Sequence, residues 1–147
     1  AEKQGTQIVS AAQNMTFTLG RARVTFIGPA RTQHTDSRDD GLTLRIDYGQ
    51  TSVVVTGCIT SNGEKEIVSS GAAAACDALI VSRGGTEAAT CAEWVEAAKP
   101  KVALITGKNP ANSVRIRLQK YGATVYAAKE NGVMTLFSDG QEITVEP

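Results

Sequence analysis

Three glycine-containing loops carry the side chains of this sequence that are best placed to do chemistry. They span residues 57–60, 83–86 and 107–110, and each follows a short apolar run: VVVT, LIVS or VALIT. In α/β proteins, ligand sites collect at the loops that follow the carboxyl ends of strands. The turn that begins at Arg83 could present backbone N–H groups and one guanidinium to an anion. The alternative interpretation is a tight strand-to-helix turn with a solvated arginine.

Cysteine and histidine set the limits of catalysis by this chain. Cys58 lies just beyond a predicted buried strand, where a thiol becomes a nucleophile only if a base lies beside it. The one histidine, His34, lies in a polar loop far away in sequence. We therefore expect His34 to be a surface-loop residue and expect no catalytic cysteine. A histidine-rich metal or acid–base site cannot be built from this chain alone.

The other titratable side chains are interpreted as structural. No other residues in the sequence would complete a catalytic or metal site with the carboxylate pairs at 39–40 and 64–66. We therefore expect them to be charges of a loop or of the start of a helix. Three cysteines are too few and too irregularly spaced for a disulfide scaffold or a zinc ribbon. For Cys76 and Cys91 two alternatives stay open, a disulfide or two small buried thiols.

The composition indicates one soluble globular domain over residues 1–147, with 41% hydrophobic and 20% charged residues. Fifteen basic and fifteen acidic residues give a net charge of zero. No global field therefore draws the chain to nucleic acid or to an anionic membrane, although a local basic patch stays open. No apolar run approaches the roughly 20 residues of a membrane-spanning helix. The start of the sequence lacks the features of a signal peptide, and the segment could belong to a longer protein.

The hydrophobic pattern predicts a mixed α/β fold with one main sheet and helices on one face. Short β-like runs come first, alternating strands and helices follow, and a hairpin ends the chain. The polar stretch 30–41 is predicted to be a loop. The predicted strands are 16–19, 23–27, 42–48, 51–56, 78–82, 102–106, 124–127, 133–137 and 142–145, and the predicted helices are 64–70, 86–98 and 112–121.

Four segments in this order carry a resemblance to a known family. They are LTLRIDYGQTSVVVTGCIT (42–60), CDALIVSRGGT (76–86), WVEAAKPKVALITGKNP (94–110) and VRIRLQKYGATVYAAKENGVMTLFSDG (114–140). They resemble the C-terminal half of a metallo-β-lactamase-fold domain, most similar to the extracytoplasmic domain of ComEC-type DNA-uptake (competence) proteins. The resemblance implies half of an αββα sandwich, with a mixed sheet covered by helices on one face.

The family's metal-ligand motifs are changed at every position that maps onto this chain. Residues 56–58 read TGC where the family has TGD, whose Asp binds metal. Residues 83–85 read RGG in place of the family's HHG, and Asn109 replaces a histidine before proline. The family's N-terminal HxHxDH motif does not occur in the sequence. The family uses zinc or manganese as cofactor. Because the ligand positions are changed and one thiol cannot hold a dinuclear site, the resemblance implies no cofactor and no catalytic residue here.

The resemblance therefore favours a non-catalytic domain that acts in binding or assembly. A lone half would expose the inner face of its sheet, which predicts a homodimer or packing against a missing N-terminal half. A basic pocket where the metal used to lie could bind a phosphate or a nucleic-acid backbone. The candidate pocket comprises Cys58, Arg83, Gly84, Lys108, Asn109 and Arg115.

Two alternatives stay open. The chain could be a fragment of a metal-dependent hydrolase or nuclease whose missing half supplies the metal ligands. It could also be a small α/β interaction module whose sheet face is covered by its own loops. The resemblance alone implies an extracytoplasmic location, where a Cys76–Cys91 bridge could persist, and no membrane contact is expected from this segment.

Overall fold

A computed structural model describes Gly5 and residues 7–146 of the chain. Its main sheet has seven strands in the spatial order β1 to β7, and β8 and β9 form a separate hairpin. The strands are β1 (Thr16–Leu19), β2 (Ala22–Gly28), β3 (Thr43–Tyr48), β4 (Thr51–Val55), β5 (Ala78–Ile80), β6 (Val102–Ile105), β7 (Thr124–Ala127), β8 (Thr135–Ser138) and β9 (Ile143–Glu146). The α-helices are α1 (Ser61–Ser69), α2 (Ala92–Ala98), α3 (Asn112–Lys120) and the single turn α4 (Ala128–Asn131).

The sheet is antiparallel from β1 to β4 and parallel from β4 to β7. Parallel neighbours need long crossover connections, and α1, α2 and α3 supply them. Right-handed crossovers that step in one direction along a sheet place all their helices on the same face. The mixed α/β fold class predicted from the sequence is therefore confirmed. Within the described part of the chain, no helix is long and apolar enough to cross a membrane.

One face of the sheet forms the core together with the helices. Val54, Leu79 and Ala103 lie side by side in register on β4, β5 and β6, and each is fully buried. Trp94 of α2 and Leu118 of α3 are fully buried in the same cluster. The helical layer is thus held by continuous apolar packing, which is the dominant favourable contribution to folding.

The opposite face also carries apolar side chains, because alternate residues of a strand point to opposite faces. Val55 is in register with Leu44 on β3 and with Ile80 on β5, and all of them are partly exposed. At the β1 edge, Phe17 is 47% and Leu19 is 69% exposed. We call this surface the open face.

Two helix boundaries differ from those predicted. Helix α1 begins at Ser61 because the Thr60 side chain caps it, accepting a hydrogen bond from the backbone N–H of Asn62. Helix α2 begins only at Ala92, whereas the sequence predicts a start near residue 86. Thr90, with φ +59°, interrupts the helical path just before it. The short helix α4 lies outside every element predicted from the sequence.

The structure distinguishes the two alternatives for the cysteines. Cys76 and Cys91 are free thiols, and both are buried. Burial raises the pKa of each thiol to about 12, because a thiolate would lose its hydration. The structure therefore favours small buried thiols over a disulfide, and neither group is reactive at neutral pH.

Truncating neighbouring residues of β5 compares the two faces of the sheet. Leu79→Ala is expected to cost about 2–5 kcal/mol of unfolding free energy, because it leaves a cavity in the core. Ile80→Ala, on the open face, is expected to cost roughly 1 kcal/mol, since the side chain is already partly exposed. Urea unfolding monitored by fluorescence of the buried Trp94 measures both values. An equal loss for the two variants would contradict an open face.

Candidate functional site

The structure brings the three predicted loops together at the carboxyl edge of the parallel strands. The backbone N–H of Arg83 donates to the carbonyl of Gly57 over 3.0 Å. The hydroxyl of Ser82 donates to the carbonyl of Ile59 over 2.5 Å. Ala111, directly after the third loop, donates its backbone N–H to the carbonyl of Gly85 in the second loop over 2.8 Å. The loop cluster expected from the sequence is thus a hydrogen-bonded unit.

The turn at residues 83–85 has an unusual backbone. Arg83, Gly84 and Gly85 have φ angles of +50°, +62° and +81°. Side-chain-bearing residues rarely adopt this left-handed region, so Arg83 stands in a strained conformation. A Cβ atom added to Gly84 would lie 2.7 Å from the Cα of Gly107. The third loop therefore fills the space that any side chain at position 84 would need.

The candidate pocket residues differ in their exposure and partners. The Arg83 side chain is partly exposed at the turn. Arg115 on α3 forms a 2.5 Å ion pair with Glu130 on α4, so part of its charge is already compensated. Three of the predicted residues have exposed side chains on the loops: Cys58, Lys108 and Asn109.

The polar loop at 30–41 borders this edge, which the sequence did not indicate. Its Asp36 lies close enough to Arg83 for the arginine to help lower its pKa. The larger causes are hydrogen bonds from the side chain and backbone of Arg38, and together they hold the pKa of Asp36 at about 2. An ionised carboxylate therefore offsets part of the positive charge that the sequence predicts for the edge.

His34 lies in the polar loop, as predicted, but its side chain is not on the surface. Its side chain is only 3% exposed, and its ring lies between Asp40, at 2.8 Å, and Glu66 of α1, at 2.7 Å. Folding of the loop against α1 buries the ring, and no local pattern in the sequence encodes that contact. The same side of α1 opens into a cavity of about 770 Å³, whose lining includes His34, Arg31, Arg38, Asn62 and Lys65.

The carboxylate pairs lie in the polar loop and at the start of α1, as predicted, but one member of each pair is buried. Asp39 is 4% exposed and accepts hydrogen bonds from the backbone N–H and hydroxyl of Thr60, at 2.7 and 2.9 Å. Glu64 is fully buried and accepts hydrogen bonds from the backbone N–H groups of Thr90 and Cys91, at 2.6 and 2.8 Å. These donors precede α2, so Glu64 fixes the start of that helix from a neighbouring one.

The residues at the mapped family positions do not fit a zinc or manganese centre. They offer the Cys58 thiol, a guanidinium that repels cations, a glycine and the Asn109 amide. Within Gly5 and residues 7–146, no three His, Cys, Asp or Glu side chains are grouped so that they could hold a metal ion. These groups therefore do not supply the ligand set that a metal-dependent reaction needs.

The close approach of the second and third loops can be tested at Gly84. Gly84→Ala is expected to lower the unfolding free energy by more than the roughly 1–2 kcal/mol that a left-handed alanine costs, because its Cβ collides with Gly107. Gly71→Ala is the matched control, with φ +74° and nothing within 4 Å of its Cβ. Urea unfolding of both variants measures the difference. Equal losses would argue against the collision.

Burial of Glu64 gives a second prediction, on pH. Desolvation raises the pKa of Glu64 to about 7, against the lowering effect of its two backbone hydrogen bonds. The folded protein thus holds a proton that the unfolded chain releases near its ordinary value of 4.5. The stability that this proton contributes is complete below about pH 4.5 and is lost as the pH rises through about 7.

The comparison with Glu64→Gln isolates this contribution, because the variant keeps every other titrating group. The unfolding free energy of the wild type relative to the variant is expected to fall by up to about 3 kcal/mol between about pH 5 and pH 8. Urea unfolding at several pH values measures it. A difference that stays constant with pH would contradict the raised pKa.

Comparison with known proteins gives one distant similarity. No protein-family model matches the chain. The chain is 24% identical over 140 residues to ComE operon protein 3 of Bacillus subtilis (strain 168). The match covers 91% of this chain but only 18% of the length of that protein. The similarity supports the competence part of the resemblance in coarse terms, and the metallo-β-lactamase part stays a prediction.

Proposed function

We propose that this chain is a non-catalytic, competence-related domain with half of a metallo-β-lactamase-like fold, acting in binding or assembly. The observation that carries the proposal is the loop cluster at the carboxyl edge. Its three loops are hydrogen-bonded to one another. Its mapped metal positions hold a thiol, a guanidinium, a glycine and an amide, which together cannot form a dinuclear metal site, and Gly107 occupies the space beside Gly84. The location outside the cytoplasmic membrane is part of the proposal and rests on the resemblance.

Assembly is proposed to use the open face of the sheet. Its apolar side chains are partly exposed, and at the β1 edge Phe17 and Leu19 are largely so. Large apolar side chains that stay exposed on one face of a sheet are typical of an interaction site. We propose that the open face packs against a second layer, supplied by a second copy of the chain or by another part of a longer protein.

Binding is proposed to use the two cations on the loop cluster, Arg83 and Lys108. Among the described residues, neither forms an ion pair. Arg83 is preorganised by its left-handed turn, and a guanidinium suits phosphate oxygens because it donates two parallel hydrogen bonds. We propose a nucleic-acid backbone as the ligand, with Asp36 limiting the affinity.

The hydrolase-fragment alternative is less well supported. It would require metal ligands from this half as well as from a missing half. The groups at the mapped positions are a thiol, a guanidinium, a glycine and an amide, and these do not form such a set. We therefore propose that the edge contacts a ligand without hydrolysing it.

Removing both loop cations tests the proposed binding. The double variant Arg83→Ala, Lys108→Ala is expected to lose measurable affinity for a single-stranded oligonucleotide, because both proposed phosphate contacts are removed. Each single variant should reduce the slope of log K against log salt by about 1. Fluorescence anisotropy over a salt series measures both quantities.

A matched control removes the same charge elsewhere on the surface. Arg23→Ala with Lys120→Ala removes one arginine and one lysine as well, and these exposed residues lie near the start of β2 and at the end of α3, outside the loop cluster. Unchanged affinity in the Arg83, Lys108 variant, or an equal loss in the control, would overturn the proposed site.

A further inference from the structure

Residues 33–38 form an arch between two places where the polar loop is anchored to α1. The first anchor is Asp39, whose carboxylate binds the N-cap residue Thr60. The second anchor is the contact of Arg31 and His34 with Glu66, in the middle of α1. Gln33, at the start of the arch, has φ +63°, which local preference does not favour. The arch therefore depends on its side-chain anchors to keep its position.

His34 is held by carboxylates at both ring nitrogens. Its Nδ1 lies 2.8 Å from Oδ1 of Asp40, and its Nε2 lies 2.7 Å from Oε2 of Glu66. The side chain is only 3% exposed, so water has little access to either nitrogen. The ring thus joins the end of the polar loop to the helix.

This geometry requires a proton on each ring nitrogen. An ionised carboxylate only accepts hydrogen bonds, and a neutral imidazole has one N–H donor and one lone pair. With a neutral ring, one carboxylate oxygen would face a lone pair at hydrogen-bond distance, and that contact is repulsive. Only the imidazolium of His34 can donate to Asp40 and Glu66 at the same time.

The charged groups around the ring come from the loop and from α1. Asp40 and Glu66 contact it directly and favour the imidazolium. Arg31 opposes protonation of the ring, because its positive charge lies nearby. Its guanidinium donates to both oxygens of Glu66, at 3.0 and 2.8 Å. The cavity of about 770 Å³ beside α1, which His34 and Arg31 line, is also lined by Asp36, Arg38, Asp39 and Lys65. Arg38 pairs with Asp36 and Lys65 with Glu93, so these charges are largely compensated.

We propose that His34 is a proton-dependent latch, whose imidazolium holds the arch against α1 and whose neutral ring releases it. Deprotonation removes one of the two carboxylate hydrogen bonds, and Arg31 keeps Glu66 paired when the ring leaves. Asp39 stays bound to Thr60, so only the arch moves. Hydrogen bonding to Asp40, and then to Glu66, raises the pKa of His34 above its ordinary value. The arch is therefore closed at lower pH and opens as the pH rises through this raised pKa.

The latch controls what the arch covers. Asp36 of the arch is the carboxylate that lies near Arg83 at the loop cluster. Opening the arch moves this negative charge away from the edge and leaves Arg83 more available to an anion. This consequence rests on the proposed function of the edge, whereas the latch itself does not.

A nuclear magnetic resonance titration of the full chain tests the latch without any ligand. His34 is the one histidine, so its imidazole signal is unambiguous. It is expected to titrate above the ordinary value of about 6.5. The backbone amides of residues 34–38 are expected to shift with the same midpoint. The N–H of His34, which donates to Asp40 over 3.0 Å, is expected to lose protection from hydrogen exchange above it. A midpoint at or below the ordinary value, or arch amides that do not follow the ring, would overturn the proposal.

Variants separate the latch from a merely local titration. Asp40→Asn is expected to move the imidazole midpoint down, and His34→Gln is expected to abolish the pH response of the arch amides. Glu93→Gln removes a carboxylate that pairs with α1 through Lys65 but does not touch His34, and it should leave the midpoint unchanged. The titration is repeated with Glu64→Gln, because Glu64 has a pKa of about 7. Loss of the arch response in that variant would assign it to Glu64 and reject the latch.

Fluorescence of the buried Trp94 shows whether a variant has folded. If a variant has not folded, the latch is judged from the midpoints of the imidazole and the arch amides in the wild type alone. Oligonucleotide affinity measured across the same pH range distinguishes the two proposals. A latch that titrates as expected without a change in affinity would leave the latch standing and count against binding at the edge.

Discussion

Burial of one face of the parallel strands beneath α1, α2 and α3 is the constraint on which the rest of the structure depends. Each crossover must return to the same end of the sheet to begin the next parallel strand, so all three loops after β4, β5 and β6 leave at the opposite end together. The apolar cluster around Trp94 and Leu79 holds the helical layer in place. The loop cluster is therefore positioned by packing some distance from it.

Helix α1 connects this core to the polar parts of the molecule. Within α1, Glu64 faces inward and receives the backbone N–H groups before α2, whereas Glu66 faces outward to Arg31 and His34. Asp39 reaches the N-cap of the same helix from the polar loop. Three carboxylates thus tie a loop and two helices together, and two of them are almost inaccessible to water. Ionisation of Glu64 and Glu66 is coupled to the tertiary contacts that they make.

The candidate site combines a compact backbone with side chains that do not form a metal site. Left-handed residues at the turn and the contact of Gly84 with the third loop make the cluster compact. The predicted site side chains are cationic or uncharged, and Asp36 of the arch and Glu130 of α4 bring carboxylates to Arg83 and Arg115. This arrangement suits a role in which the edge contacts an anion and the open face contacts another protein layer, which is the role we propose.

The sequence by itself determined the fold class, the order of the elements and the convergence of the three loops, because hydrophobic period and glycine position are local signals. It did not predict that the side chains of His34, Asp39 and Glu64 are buried, because they resemble solvated charges in the sequence. Only the tertiary structure decided their burial, because their partners lie in other elements of the fold. The late start of α2 has the same cause, since the carboxylate that receives the N–H groups of Thr90 and Cys91, just before the helix, belongs to α1.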